Sequence, residues 1–331
     1  MRVVYYVHDL RFPLVEGYRK EAWYLAKAAK AKGHDVEIIS SSKKKRIMIK
    51  GGIKITYGSA LGISKVKADI IHYISQPSPL IVPLLMRAKA KRQVMTIFGG
   101  HLNSFWKRPW DRFVSRLVNK KVSRITLQTD YQKGLLRHTR LNIPVEKIPP
   151  LIPILEKSRN RTEKPSLLFM SHMDELKGAS DVLKAFLFLR RSIEGLTLVI
   201  ADSGMTKNSK IYKWIGEVNK GDIILKDVVN PQEELSKAWV YLYPVRSSRE
   251  TFSVPLSLIE AIQVGTPYVS TNVGGISEYF NELCLVEPKD PRALAEKIEE
   301  FITKPVVYPL KKEIDNKETS NEYMRLYEGV Y

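Results

Sequence analysis

Nine residues separate Glu250 from Glu260, and the apolar segment between them runs on into Gly265-Thr266-Pro267, then Gly274-Gly275 with Glu278 close behind. A helix starting near Ser253 would turn Leu258, Ala261 and Ile262 inward at i, i+3 and i+4 spacing and leave Glu260 on another face. Pro255 suits its first turn. The unpaired N–H groups at such an end carry a partial positive charge, about half a unit, and suit an anion. A carboxylate one or two turns along accepts a pair of hydroxyl hydrogen bonds, as acidic residues do when they hold a ribose. The glycines at 274 and 275 let backbone approach closely before the next helix. Anion, diol and tight loop together describe a nucleotide-diphosphate site.

The elements that must position these groups alternate between strand and helix. "RVVYYVH" (2 to 8) precedes an amphipathic stretch from Gly17 to Lys32 with Ala22, Leu25, Ala26 and Ala29 on one face, which Gly33 stops. "VEIIS" (36 to 40), "IKITY" (53 to 57), "IIHYI" (70 to 74), "QVMTIF" (93 to 98) and "RITLQT" (124 to 129) read as further strands, several of them apolar enough to be covered on both faces. "IPPLIPILEKSRNRTEKPS" (148 to 166) is a linker candidate, after which "LLFMS", "LTLVIA", "DIILKD", "VYLYP" and "PYVST" resume the alternation. The pattern predicts an α/β chain of two doubly wound Rossmann-like domains facing a central cleft, with ligands at the carboxyl ends of the strands. Glu250 follows "VYLYP" through a short loop, so it belongs at such an end.

A chain of 331 residues exceeds the usual single-domain size. Its expected divisions are residues 1–155, 160–308 and a C-terminal helix over 309–331 whose Tyr323, Leu326 and Tyr327 share one face. The longest apolar run, "PLIVPLLM" (79 to 86), is interrupted by prolines and far shorter than the ~20 residues of a membrane span. The start "MRVVYYVHDL" reads as a first strand rather than a signal peptide. Cys284 is the single cysteine, read as a buried strand residue, so an internal disulfide and a cysteine metal cluster are excluded. His8, His34, His72 and His138 lack ligand spacing and read as packing or surface residues. No metal or cofactor is expected, and the chain reads as cytoplasmic, with the inner face of the cell membrane as its possible station.

Charge is divided unevenly. Residues 1–150 hold 30 Lys and Arg against 9 Asp and Glu, a net +21, and residues 151–331 hold 24 against 26, a net −2, which together give +19. A basic half of this kind predicts an anionic partner such as lipid headgroups, a phosphate-bearing substrate or nucleic acid. "HLNSFWKRPWDRFVSRLVNKKVSR" (101 to 124) interleaves Trp106, Trp110, Phe113, Val114 and Leu117 with Lys107, Arg108, Arg112, Arg116, Lys120 and Lys121, and Pro109 would sit in the first turn of its helix. Two readings of that helix stand open: an apolar stripe packed on the sheet, or a face lying on an anionic membrane surface.

The motifs resemble those of the retaining GT-B glycosyltransferases of glycosyltransferase family 4, the glycosyl transferases group 1 type. "GYRKEAWYLAKAAKAKGHDVEIIS" is similar to the family's first helix and following strand, "LLFMSHMDELKGASDVLKAF" to its lysine-bearing segment, and "LSLIEAIQVGTPYVSTNVGGISE" to its glutamate and double-glycine run. The resemblance implies transfer of a sugar from a nucleotide-diphosphate sugar to a hydroxyl, with retention and without metal. It implies that Glu260 binds the ribose and that Glu250 contacts the transferred sugar. Thr251, Phe252, Ser253 and Val254 would line sugar and phosphates, Lys177 and His172 would face the diphosphate, and Val229 the base. Gly17 would approach the diphosphate from the first loop, and His101 would lie near the reacting sugar. Asp202-Ser203-Gly204 resembles a further donor-contacting loop. Three departures are visible: the family places seven residues between its glutamates, an arginine where His172 stands, and in many members two glycines in the first loop where "LVEGY" has one. The implied acceptor is anionic or lipid-linked and sits on the basic half with Trp106, Lys107, Arg108, Trp110, Arg112 and Arg116. Rival readings are a GT-B nucleotide-sugar binder or epimerase without transferase activity, and a basic nucleic-acid-binding protein, although RNP, zinc-finger and helix-turn-helix patterns are absent and no nucleic-acid partner is expected.

Overall fold

The computed structural model describes residues 1–99, 109–202, 210–250 and 252–330, with Glu250 described by its backbone alone. The chain divides into two compact units, Met1–Ile152 with Ile314–Tyr331, and Pro153–Glu313. In the first, β1 (Arg2–His8) leads through residues 9–16 to α1 (Gly17–Ala31) and β2 (Asp35–Ser41). Then come β3 (Arg46–Lys50), β4 (Ile53–Gly58), β5 (Lys67–Ile74), α2 (Val82–Arg87) and β6 (Lys89–Thr96). α3 (Asp111–Lys121), β7 (Arg124–Leu127), α4 (Asp130–Leu136) and β8 (Val145–Lys147) follow. The strand order is β3-β4-β2-β1-β5-β6-β7-β8, parallel throughout except for the β3–β4 pair. Val3 to Val7 of β1 are all buried, because helices cover both faces of a parallel sheet. The order reverses direction at β1 and β5, the switch point of a doubly wound fold.

The second unit holds β9 (Ser166–Met170), α5 (Ala179–Leu189), β10 (Thr197–Ala201), α6 (Lys210–Val218) and β11 (Ile223–Lys226). α7 (Pro231–Lys237), β12 (Val240–Tyr243), α8 (Leu256–Val264), β13 (Tyr268–Thr271), β14 (Leu285–Val286) and α9 (Pro291–Thr303) complete it. All six strands are parallel in the order β11-β10-β9-β12-β13-β14, with the switch point between β9 and β12. Of the linker candidate, 148 to 166, residues 148–165 form no helix or strand, and Ser166 already opens β9. Pro255 is the N-cap of α8 rather than a first-turn residue, and the helix begins at Leu256. Cys284 is buried but ends a 3-10 turn just ahead of β14 instead of lying in a strand.

α10 (Asn316–Glu328) belongs to the first unit. Its buried Tyr323, Leu326 and Tyr327 meet a polar ladder that crosses the sheet. His72 Nδ1 donates to the Tyr327 hydroxyl at 2.7 Å, Tyr327 donates to Tyr5 at 3.1 Å, and Tyr5 donates to the Leu25 carbonyl at 3.2 Å. On its other side His72 Nε2 accepts from Thr96 at 2.7 Å, and Thr96 and Thr126 share a 2.6 Å bond. Burial pushes His72 down to about 3, which keeps the ring neutral in this network.

Candidate functional site

The carboxyl ends of β9 and β12 flank the switch point of the second unit, and the sequence-predicted donor residues lead off from both. After β9 the chain passes His172 and Lys177 before entering α5. Asp174 Oδ1 accepts the Lys177 N–H at 2.8 Å and closes the turn. Gly178 then takes φ +80, and a Cβ there would lie 1.9 Å from the Pro244 carbonyl oxygen, so only glycine fits this crossing of the two loops.

Arg246 fastens the same junction. Its Nε and Nη2 donate to the two oxygens of Asp181 at 2.6 Å each, a bidentate pair. Nη2 also donates to Ser180 Oγ at 2.8 Å, Nη1 bonds Glu175, and the Arg246 N–H donates to the Leu176 carbonyl at 2.8 Å. Asp181 is buried in the first turn of α5, and its hydrogen bonds push the Arg246 guanidinium above its ordinary value. From the other side, Thr271 Oγ1 donates to the Val245 carbonyl at 2.5 Å and Ser270 Oγ to the Tyr243 carbonyl at 2.9 Å, which stitches the end of β13 to the loop after β12. Three strand ends are thus locked into one rim.

His172 and Asp202 meet across this rim. Asp202, at the end of β10 and buried, accepts from the Tyr212 hydroxyl at 2.9 Å and lies 3.3 Å from His172 Nδ1. Burial and the Asp202 carboxylate together push the Tyr212 hydroxyl well up, so the phenol stays a donor.

Glu260 is buried in α8, at 4 % exposure, with Leu258 and Ala261 fully buried beside it and Ile262 half-buried. Ser253 and Val254, ahead of the helix, are buried, and Phe252 is half-buried. The backbone of Glu250 ends the 3-10 turn Ser248–Glu250. Val229 is half-buried next to Asn230, whose side chain caps α7 by accepting the Gln232 N–H at 3.1 Å. Gly274, at φ +64, precedes the 3-10 turn Ile276–Glu278.

In the first unit Gly17 opens α1 at the carboxyl end of β1, close in sequence to Arg19, which pairs with Asp9 at 3.3 Å. Trp110 packs against the core of that unit, as do Val114, Leu117 and Val118, so the apolar stripe of α3 faces the sheet. Arg112, Phe113 and Arg116 are exposed on the opposite side, and Pro109 lies in the turn ahead of the helix rather than in its first turn. His101, Trp106, Lys107, Arg108, Thr251, Ser203 and Gly204 lie outside the described residues, as does the Glu250 side chain.

Sequence reasoning missed Arg246 and its partners. The signal available was Arg246, the first of two arginines in the loop "VRSSR" behind an apolar strand, but its partner Asp181 is 65 positions away. Tyr212 was also missed, since nothing near it in sequence announces Asp202.

The family model described as glycosyl transferases group 1 matches residues 153–320, just over half of the chain. No curated protein matches the chain by sequence. Among solved structures, the pneumococcal O-GlcNAc transferase GtfA, in complex with UDP and GlcNAc, aligns with TM-score 0.73 at 12% identity over 100% of this chain and 99% of its own. A mutant of S. aureus TarM in complex with Fondaparinux, alpha-GlcNAc-glycerol and UDP aligns with TM-score 0.78 at 11% identity, covering 98% of this chain and 99% of its own. Anabaena Alr3699/HepE in complex with UDP and glucose gives TM-score 0.70 at 12% identity, with 92% and 90% covered. At these identities the likeness is one of fold, and the fold is GT-B.

Proposed function

The chain belongs to the glycosyl transferases group 1 family, and on that footing we propose that it moves a sugar from a nucleoside-diphosphate donor to an acceptor hydroxyl with retention of anomeric configuration. The observation that carries this reading is the Arg246-locked junction of the loops after β9 and β12, which gathers the His172–Lys177 loop and the chain leading to Glu260 at one switch point.

In this reading Glu260 accepts the two ribose hydroxyls. Its burial favours that role, since a carboxylate in a low-dielectric setting gains more from each hydroxyl than one in water. Lys177, His172 and the amino end of α8 supply positive charge for the departing diphosphate, so no metal is invoked. Asp202 orients His172 by accepting at Nδ1. Val229 contacts the base, Phe252, Ser253 and Val254 border the sugar, and Glu250 with Thr251 lies at the transferred ring. Gly17 and His101 keep the roles the family resemblance gives them, near the diphosphate and the reacting sugar. The three structures of similar fold that hold UDP make UDP-sugars the first donors to test.

The acceptor is anionic or lipid-linked, drawn to the net +21 of residues 1–150. A thermal-shift screen against UDP, GDP, ADP and TDP sugars tests the donor half of the proposal. A true donor at a hundred times its Kd stabilises by about 2.7 kcal/mol. The altered glutamate spacing and His172 favour one rival, a binder or epimerase on the same fold. It is separated by nucleotide release that depends on added acceptor, which a transferase shows and an epimerase does not.

A further inference from the structure

One flank of α3 carries Arg112, Ser115, Arg116 and Asn119 at i, i+3, i+4 and i+7, a stripe along the helix in which Ser115 is buried and the other three are exposed. Together with Arg140 they line a surface notch of about 500 Å³. Arg140 is held in place twice. Its Nη1 donates to the buried Asp111 carboxylate at 2.8 Å. Its own carbonyl accepts from Asn119 Nδ2 at 2.8 Å, and Asn119 Oδ1 accepts the Asn142 N–H at 2.9 Å, which pins the turn against the helix.

Two features of the notch go unanswered within the folded chain. Arg112 and Arg116 stand at i,i+4, where like charges repel, and among the described residues neither pairs with a carboxylate. Ser115 is 1 % exposed, and among the described residues its hydroxyl lacks any hydrogen-bond partner, although a helical serine has its own i−4 carbonyl within reach. Three guanidiniums set against the one carboxylate of Asp111 leave two net positive charges. A small dianion with several acceptor oxygens answers both features at once.

We propose that this notch binds a phosphate group. The guanidinium forks of Arg112, Arg116 and Arg140 donate to its oxygens, and the Ser115 hydroxyl donates from the floor. The group is borne by a lipid headgroup or by a soluble phosphoester; the chemistry at the notch is the same. The inference stands apart from the donor reading, because His172, Lys177 and Glu260 all belong to the other unit.

The test uses the full chain and four variants: R112Q/R116Q/R140Q, Ser115→Ala, Lys177→Gln, and K43Q/K44Q/K45Q, which removes equal charge from a different edge. Each is titrated with inorganic phosphate by calorimetry and floated with phosphatidylcholine vesicles that contain or lack phosphatidic acid, after its melting temperature has shown it folded. The expected result is a loss of about tenfold or more for the triple-arginine variant and a several-fold loss for Ser115→Ala, while the lysine triple and Lys177→Gln retain notch binding. Binding of free phosphate that survives in Lys177→Gln and is lost in the arginine triple points to a soluble source, and arginine-dependent binding to phosphatidic-acid vesicles alone points to a lipid. Equal losses in the arginine and lysine triples, or no loss in the arginine triple and Ser115→Ala, overturn the proposal.

Discussion

At the scale of single residues, two positions make sharp claims. Gly178 crosses beneath the Pro244 carbonyl, so Gly178→Ala combines a strained φ with a 1.9 Å overlap that backbone must relieve. We expect it to destabilise the second unit by about 2 kcal/mol or more and to weaken donor binding through the displaced Lys177 loop. Chemical denaturation and donor titration of the one variant check both effects, and wild-type behaviour in both would contradict the crossing.

Glu21, on α1, is buried, and burial pushes its carboxyl up to about 8, an increase that a backbone contact at Leu151 only partly offsets. The folded chain therefore holds a proton that the unfolded chain releases near its ordinary value. Stability is greatest below that ordinary value and falls as pH rises toward 8, by at most about 1.4 kcal/mol per pH unit, then levels. Glu21→Gln should flatten that fall in unfolding midpoints measured from pH 5 to 9; parallel slopes would show that Glu21 does not hold the proton. Residues of this kind were not legible in the sequence. Glu260 could be picked out by its spacing along a helix, and Lys177 and His172 by the motif that resembles the family's, whereas Glu21 reads as a surface residue of an amphipathic helix until α10 is seen to belong to the same unit.

At the scale of elements, Arg246 ties α5 to the loop after β12. Arg246→Met keeps much of the side-chain volume but leaves Asp181 buried without its bidentate partner, and removal of one member of a buried pair costs several kcal/mol. The expected readout is a lower melting temperature together with weaker donor binding. Retained donor affinity would mean that the junction does not shape the site. Tyr327→Phe is a milder test in the first unit: it strips the acceptor from His72 Nδ1 and should cost about 1 to 3 kcal/mol by denaturant unfolding. Strands such as β1, β5, β10 and β12 were plain in the sequence because their apolar runs are buried on both faces. β3 was hidden, since Ile47 and Ile49 are exposed on an edge strand that follows a run of lysines. β8 and β14 are too short to leave a periodic signal. The aromatic and basic mixture of α3 was legible, but which of its faces meets the sheet was not, because Trp110 and Phe113 are equally apolar and only the structure turns one in and the other out.

At the scale of the molecule, the alternation of strands and helices in both halves was enough to predict two Rossmann-like sheets, and the GT-B fold of the similar structures agrees. The strand orders themselves, and therefore the position of each switch point, depend on long-range pairing that a single sequence does not display. The charge division was legible by counting, yet its use is local: the cations beside Ser115 and Asn119 form a lined notch with an unanswered hydroxyl, which no count of lysines and arginines could locate. The central claim is that the second unit holds a nucleoside-diphosphate sugar with Glu260 on its ribose. Calorimetry of the intact chain with UDP and UDP-sugars, repeated on Glu260→Ala, tests it most directly. Saturable binding with one site per chain, weakened about tenfold or more in the variant, is the predicted result. Binding of equal strength in Glu260→Ala, or no uptake of any activated sugar or its nucleotide by the wild type, would contradict it.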